Sequence, residues 1–261
     1  MTTWTADSYS RNTGHHRRFD EGFLSGWPLP GRGTVLDIGC GVGDFTIKLA
    51  TDDRRVVGVD ASPDLIAEAT GRFGDRVEFR IGQAQNLDMI GDASMDAVVS
   101  RAALHWIAAA DHPRMLAEVA RVLVPGGWFR AEFAAAGQMP EVLAILDSEL
   151  AARGLAGQSP FRPWYFAEQD DYAQLLANAG LSVQRGWLRT VDQVRTYTDG
   201  ELDGWLDSQI VNAYEPRLDP ADRADFADCV RRRCHIELAR SGSDHVVAFR
   251  RMCLLAQRPP A

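Results

Sequence analysis

The chain has 261 residues, 46% hydrophobic and 25% charged, with a net charge of −8 and a pI near 5.3. That composition is globular, and the length fits one α/β domain carrying a small cap. It argues against a membrane span, because no run of about 18 apolar residues occurs, and against nucleic acid, because an acidic surface repels phosphates.

The nearest basic cluster, Arg231-Arg232-Arg233, sits among Asp225, Asp228 and Glu237 and reads as a solvated helix face. Cys40, Cys229, Cys234 and Cys253 show no CxxC spacing, and the histidines no HExxH pattern, so neither a metal site nor a disulfide is expected. Without a basic stretch followed by an apolar core at the N-terminus, the expected compartment is the reducing cytoplasm.

Short apolar runs alternate with helical patterns. Residues 34–39 read as a strand ending in glycines, followed by a helix start over 43–49. Residues 55–60 form a second strand, after which Ser62 can cap a helix with Pro63 at its first position. Strands are expected at 76–81 and 95–100, an amphipathic helix over 112–124, a stop at Pro125-Gly126-Gly127, and a fifth strand over 128–133. Helical patterns follow at 138–153, 168–179, 199–211 and 220–240, with a final strand over 245–257. This alternation implies a parallel sheet with right-handed crossovers, whose ligands bind at the carboxyl ends of the strands.

The informative segment is Val35-Leu36-Asp37-Ile38-Gly39-Cys40-Gly41-Val42-Gly43-Asp44. Alternating glycines let a ligand approach the backbone closely. A dinucleotide site would carry GxGxxG, but Asp44 stands where its third glycine belongs. An acid at Asp37 suits a cation and repels a pyrophosphate. Asp60, ending the second strand, lies near the spacing expected of an acid that holds ribose hydroxyls.

These residues resemble the glycine motif and second-strand acid of the class I methyltransferases dependent on S-adenosylmethionine (SAM). The resemblance runs on through Gly82-Gln83-Ala84-Gln85-Asn86-Leu87, where the family usually has Asp in place of Gln83, and through Asp96 to Trp106. It covers about residues 30–133 and implies a Rossmann-like, doubly wound, mostly parallel sheet with an antiparallel final strand and a helical cap. It further implies SAM contacts from Asp37, Gly39, Cys40, Gly41, Gly43, Asp60, Ala61, Gln83, Ala84, Arg101 and Ala102. The implied organisation is a single domain over 1–261. Within it lie a lid helix over 1–30, a SAM-binding core over 31–133, and cap insertions at 134–170 and 195–240.

A narrower resemblance is to the small-molecule carboxyl methyltransferases such as the trans-aconitate and juvenile hormone acid enzymes. It rests on Tyr9-Ser10-Arg11-Asn12 with His16 and Arg18, on Leu104-His105-Trp106, and on the stretch from Trp164 to Gly180. It implies that Tyr9, His105, Trp106, Trp164 and Tyr165 meet the substrate, and that His16 touches SAM. His105 can orient a carboxylate as a donor or take a proton as a base. Arg101, expected beside a positive sulfur, calls for an anionic partner, either a protein acid or the substrate. The partner is then a small molecule, with the chain a monomer or homodimer. The alternatives are O-, N- or C-methylation of a natural product, a SAM-binding cyclase that transfers nothing, and, more distantly, a NAD-dependent oxidoreductase.

Overall fold

The computed structural model describes residues 20–155 and 162–260. Among them the first helix is α1 (Asp20–Leu24), and β1 (Gly33–Ile38) follows with its last four residues buried. Next come α2 (Thr46–Leu49), β2 (Arg54–Asp60), α3 (Pro63–Phe73), β3 (Glu78–Ile81) and β4 (Met95–Arg101). As expected, Ser62 caps α3: its hydroxyl accepts the Leu65 N–H at 3.4 Å, and Pro63 takes the first position.

β1 pairs in parallel with β2 and β4, and β2 with β3. The chain therefore winds outward to β3, then crosses back to the far side of β1. Ligands in open α/β sheets bind at that reversal, outside the carboxyl ends of the strands.

α4 (His112–Val122) leads into β5 (Leu123–Ala134), which starts ahead of the expected position 128. Leu123 pairs with Met95 and Trp128 with Ala97, so Pro125-Gly126-Gly127 bulge out of the strand rather than precede it. α5 (Pro140–Ala152), α6 (Gln169–Asn178) and the two-residue β6 (Ser182–Val183) follow.

The sequence left 189–197 unassigned, yet Arg189–Tyr197 is a strand, β7, paired along its length with the final strand. Its alternation is hard to read because the inward positions include Arg195 and Tyr197 rather than aliphatic residues. α7 (Asp199–Trp205) opens with a capping box from Thr198 and Glu201, then widens into a π turn over Leu206–Val211. α8 (Asn212–Tyr214), α9 (Arg223–Glu237) and the short β8 (Arg240–Ser241) lead to β9 (Asp244–Gln257). β9 runs antiparallel between β5 and β7, so the sheet order is β3-β2-β1-β4-β5-β9-β6, with β7 and β8 also on β9. The sheet is therefore mostly parallel, with antiparallel strands at one end.

One core lies under α4 and α6, with Leu36, Val98, Leu116 and Phe129 fully buried. Another packs Phe23, Val35, Leu49 and Val56. A third joins the cap helices to β9 through Leu146, Trp205, Tyr214, Phe226 and Phe249. Each such side chain contributes about 1.5–3 kcal/mol when removed from water. The cap thus has its own packing and stands over the carboxyl ends of β4 and β5.

Candidate active site

The glycine bend follows directly from β1. The Gly39 and Cys40 amides donate to the Val59 carbonyl at 2.8 and 3.2 Å, tying the bend to β2. Gly39 has φ of 75°, and a Cβ there would stand 2.2 Å from the Ala103 Cβ. Only glycine fits, and the bend therefore abuts the turn that leaves β4. At Gly43, with φ of 81°, a Cβ would press on Phe79 at 2.9 Å.

Two carboxylates hold this bend. Asp60 accepts the Gly41 amide at 3.0 Å with Oδ2 and the Ser62 amide at 2.9 Å with Oδ1. Burial raises its pKa, and those amides pull it down. Asp37 is buried beneath the bend and accepts the Thr46 hydroxyl at 2.7 Å. Burial raises its pKa from 3.8 to about 7; the Thr46 hydrogen bond lowers it, the Asp60 charge raises it, and Arg101 lowers it. A bend flanked by two acids favours a cationic ligand over a phosphate.

A cavity opens beside the bend: it is lined by Ala102, the neighbour of the Ala103 that abuts Gly39. It encloses about 440 Å³ of empty space, a figure that includes solvent at its open mouth. Trp106, Trp164, Phe166, Trp205 and Phe249 make its walls aromatic. Trp164 stacks on Phe166 with centroids 5.8 Å apart, and Trp205 meets Phe249 edge-on at 5.6 Å. Ala102 and Met139 line it with left-handed backbone, φ of 55° and 39°, a conformation that collects at functional sites.

Polar groups reach the cavity from separate elements. Arg195 of β7 and Arg251 of β9 are both buried, and their guanidinium carbons lie 4.6 and 5.8 Å from the Phe249 ring centre. Burial, together with the Arg195 charge, lowers the Arg251 pKa to about 10, so it stays cationic at neutral pH. Nε of Arg251 and Nε2 of Gln209 are buried without a hydrogen-bond partner among the described residues. His105 is buried as well; burial, the Arg251 charge and the His112 charge hold its pKa well below 6.5. The Ala134 amide donates to its Nδ1 over a long 3.5 Å, which leaves Nε2 to carry the ring proton.

The sequence-predicted residues divide between these two places. Asp37, Gly39, Cys40, Gly41, Gly43 and Asp60 form the bend. The Cys40 side chain is buried and its thiol pKa raised by that burial, so only its backbone faces the turn. Ala61 and Gln83 are exposed at the ends of β2 and β3, with Ala84 beside them. His105, Trp106 and Trp164 line the cavity with Ala102.

Arg101 is not among the lining residues: its guanidinium lies 5.5 Å from the Phe45 ring and interacts with Asp37. Tyr165 turns away from the cavity onto buried His112, with ring centres 4.7 Å apart. Tyr9 and His16 lie outside the described residues. The cavity cations, Arg195 and Arg251, were missed by sequence reasoning. Their strands carry arginine on the inward face, and that alternation was the available signal.

Residues 35–127 match the family described as a methyltransferase domain. An uncharacterized methyltransferase, C70.08c, of Schizosaccharomyces pombe is 33% identical over 78% of this chain and 79% of its own. A trans-aconitate 2-methyltransferase of Deinococcus radiodurans is 30% identical over 86% of each chain. The solved YcgJ protein from Bacillus subtilis superposes with a TM-score of 0.60 at 20% identity, over 95% of this chain and all of its own.

Proposed function

The chain belongs to the SAM-dependent methyltransferases, and from that membership we propose that its methyl acceptor is the carboxylate of a small acid with an apolar body. SAM, when bound, supplies a methyl group already activated on a positive sulfur. On this reading Asp60 accepts hydrogen bonds from the ribose hydroxyls, while Gln83 and Ala84 flank the adenine. Gly39, Gly41 and Gly43, with the backbone of Cys40 and Ala61, leave room for the nucleoside. The Asp37 charge, adjusted by Arg101, faces the cationic end.

The observation that carries the acceptor assignment is Arg251, a buried cation that lines the cavity next to the bend, feels the Glu132 charge, and has an Nε without a partner among the described residues. A buried charge is costly unless an anion pairs with it, and a guanidinium pairs best with a carboxylate. A carboxylate is ionised at neutral pH and needs no base. His105 fits that need: with its pKa held down it is neutral, and with Nδ1 accepting from Ala134 its Nε2–H is a donor. It orients the acceptor rather than deprotonates it. Trp106, Trp164, Trp205 and Phe249 take up the apolar body. The protein's work is alignment of acceptor and methyl group, with water kept out.

The test is a panel of small acids, trans-aconitate among them, against matched amides, phenols and amines, each with SAM. Mass spectrometry should find a new methyl group that mild base removes as an ester does, with S-adenosylhomocysteine formed in equal amount. A base-stable methyl group on carbon or nitrogen would overturn the reading.

A further inference from the structure

A second cluster lies outside the acceptor cavity and plays no part in the reaction described above. Asp199 begins α7, His235 lies in the last turn of α9, and His245 is the second residue of β9. One ligand atom from each falls within 4.8 Å of the others.

Two of the three ligand spacings, both from Asp199, are close to what a tetrahedral ion requires. Bonds of about 2.0–2.1 Å put neighbouring ligand atoms about 3.3 Å apart. Asp199 Oδ1 is 2.8 Å from His245 Nε2 and 3.5 Å from His235 Nδ1, which brackets that spacing.

The outer contact of His235 fits as well. His235 presents Nδ1 to the cluster, while its Nε2 is 2.8 Å from Asp203 Oδ1. A carboxylate on the far nitrogen is the usual way to fix the ring of a metal-bound histidine. His245 is fully buried; a metal on its Nε2 would leave the ring proton on Nδ1, which has no protein partner among the described residues. The place already attracts positive charge. Exposed Arg240 sets a guanidinium nitrogen 3.2 Å from His245 Nε2 and 3.9 Å from Asp199 Oδ1.

We propose that Asp199, His235 and His245 form a binding site for a divalent transition metal, zinc by its nitrogen and oxygen donors, which Arg240 closes when the metal is absent. Water completes the tetrahedron. The ion is a clamp: it joins the start of α7, the end of α9 and the start of β9. α7 and its continuation carry Trp205 and Gln209 of the acceptor cavity, and β9 carries Phe249 and Arg251. The site therefore stiffens two cavity walls without touching the acceptor.

The full chain, without a polyhistidine tag and stripped by chelator, is dialysed against zinc and against cobalt. One equivalent of zinc should bind, the melting temperature should rise with zinc but not with magnesium, and cobalt should give the visible absorption of a tetrahedral site. Asp199→Asn and His235→Gln should each weaken zinc binding at least tenfold while melting like wild type in chelator. Arg240→Ala, at an exposed position, should bind zinc more tightly by removing the competing cation, and it carries the test even where the His235 variant folds poorly. The proposal is overturned if wild type retains no zinc at micromolar concentration. It is also overturned if Asp199→Asn binds as wild type does, or if Arg240→Ala binds more weakly.

Discussion

The glycine bend and the acceptor cavity sit side by side, sharing the Ala102–Ala103 turn, but they are built in opposite ways. The bend is local in sequence and made of backbone: glycines with positive φ, amides tied to Val59, and Asp60 bonding Gly41 and Ser62. The cavity is assembled from β4, β5, β7, β9 and the cap, and its chemistry lies in side chains such as Arg251, Gln209 and His105. A site made of backbone can be written into one turn. A site that sets the acceptor can be changed one wall at a time.

Because the two halves are built separately, each can be damaged without the other. The largest effect is expected at Asp60→Ala, which removes the proposed ribose acceptor and strands the Gly41 and Ser62 amides. SAM affinity should fall at least about 100-fold, roughly 3 kcal/mol, by calorimetry. Unchanged affinity would move the ribose elsewhere and break the comparison. Arg251→Met should act on the other half only. It keeps the apolar stem but removes the anion partner, and kcat/KM for the acid should drop about 30- to 300-fold, roughly 2–3.4 kcal/mol. SAM affinity should hold, and its loss would mean that the two halves are not separable.

A smaller effect comes from pH. The native pKa of Asp37, about 7, lies above the ordinary 3.8 because burial penalises the charge. The unliganded protein therefore loses stability as pH rises from about 4 towards 7, where the unfolded chain releases a proton that the native state still holds. A positive sulfur favours the ionised form, so SAM affinity should climb as pH rises towards about 7, by at most about tenfold per unit, and level off above it. S-adenosylhomocysteine, whose sulfur is neutral, should climb less. Equal slopes for the two ligands would show that Asp37 does not sense the sulfur's charge.

The same division governs what the sequence reveals. Strand ends, glycines and acids in the first half are near neighbours, so spacing alone locates them, and the parallel core follows from apolar runs between turn residues. The Ser62-Pro63 helix start was equally plain. β7 was not, because Arg195 and Tyr197 occupy inward positions that a hydrophobic pattern leaves blank. Nor does spacing reveal that Arg195 and Arg251, 56 positions apart in the numbering, flank one phenylalanine ring. Only the antiparallel pairing of β7 with β9 brings them together. The Asp199, His235 and His245 cluster is hidden for the same reason: no short motif joins its members, and a metal was not expected.

The π turn at Leu206–Val211 makes the exact number of residues in the cap consequential. Such a turn carries one residue more than an α-helix needs for the same advance. Removing any single residue there lets ordinary winding cover the same advance, so the flanking turns keep their places while residues within the stretch change the direction they face. Gln209 and Ile210 then leave the acceptor wall while the helix keeps nearly all its apolar content. A one-residue gap in an alignment across this stretch is therefore a change of pocket lining, made without altering the identity of any side chain that remains.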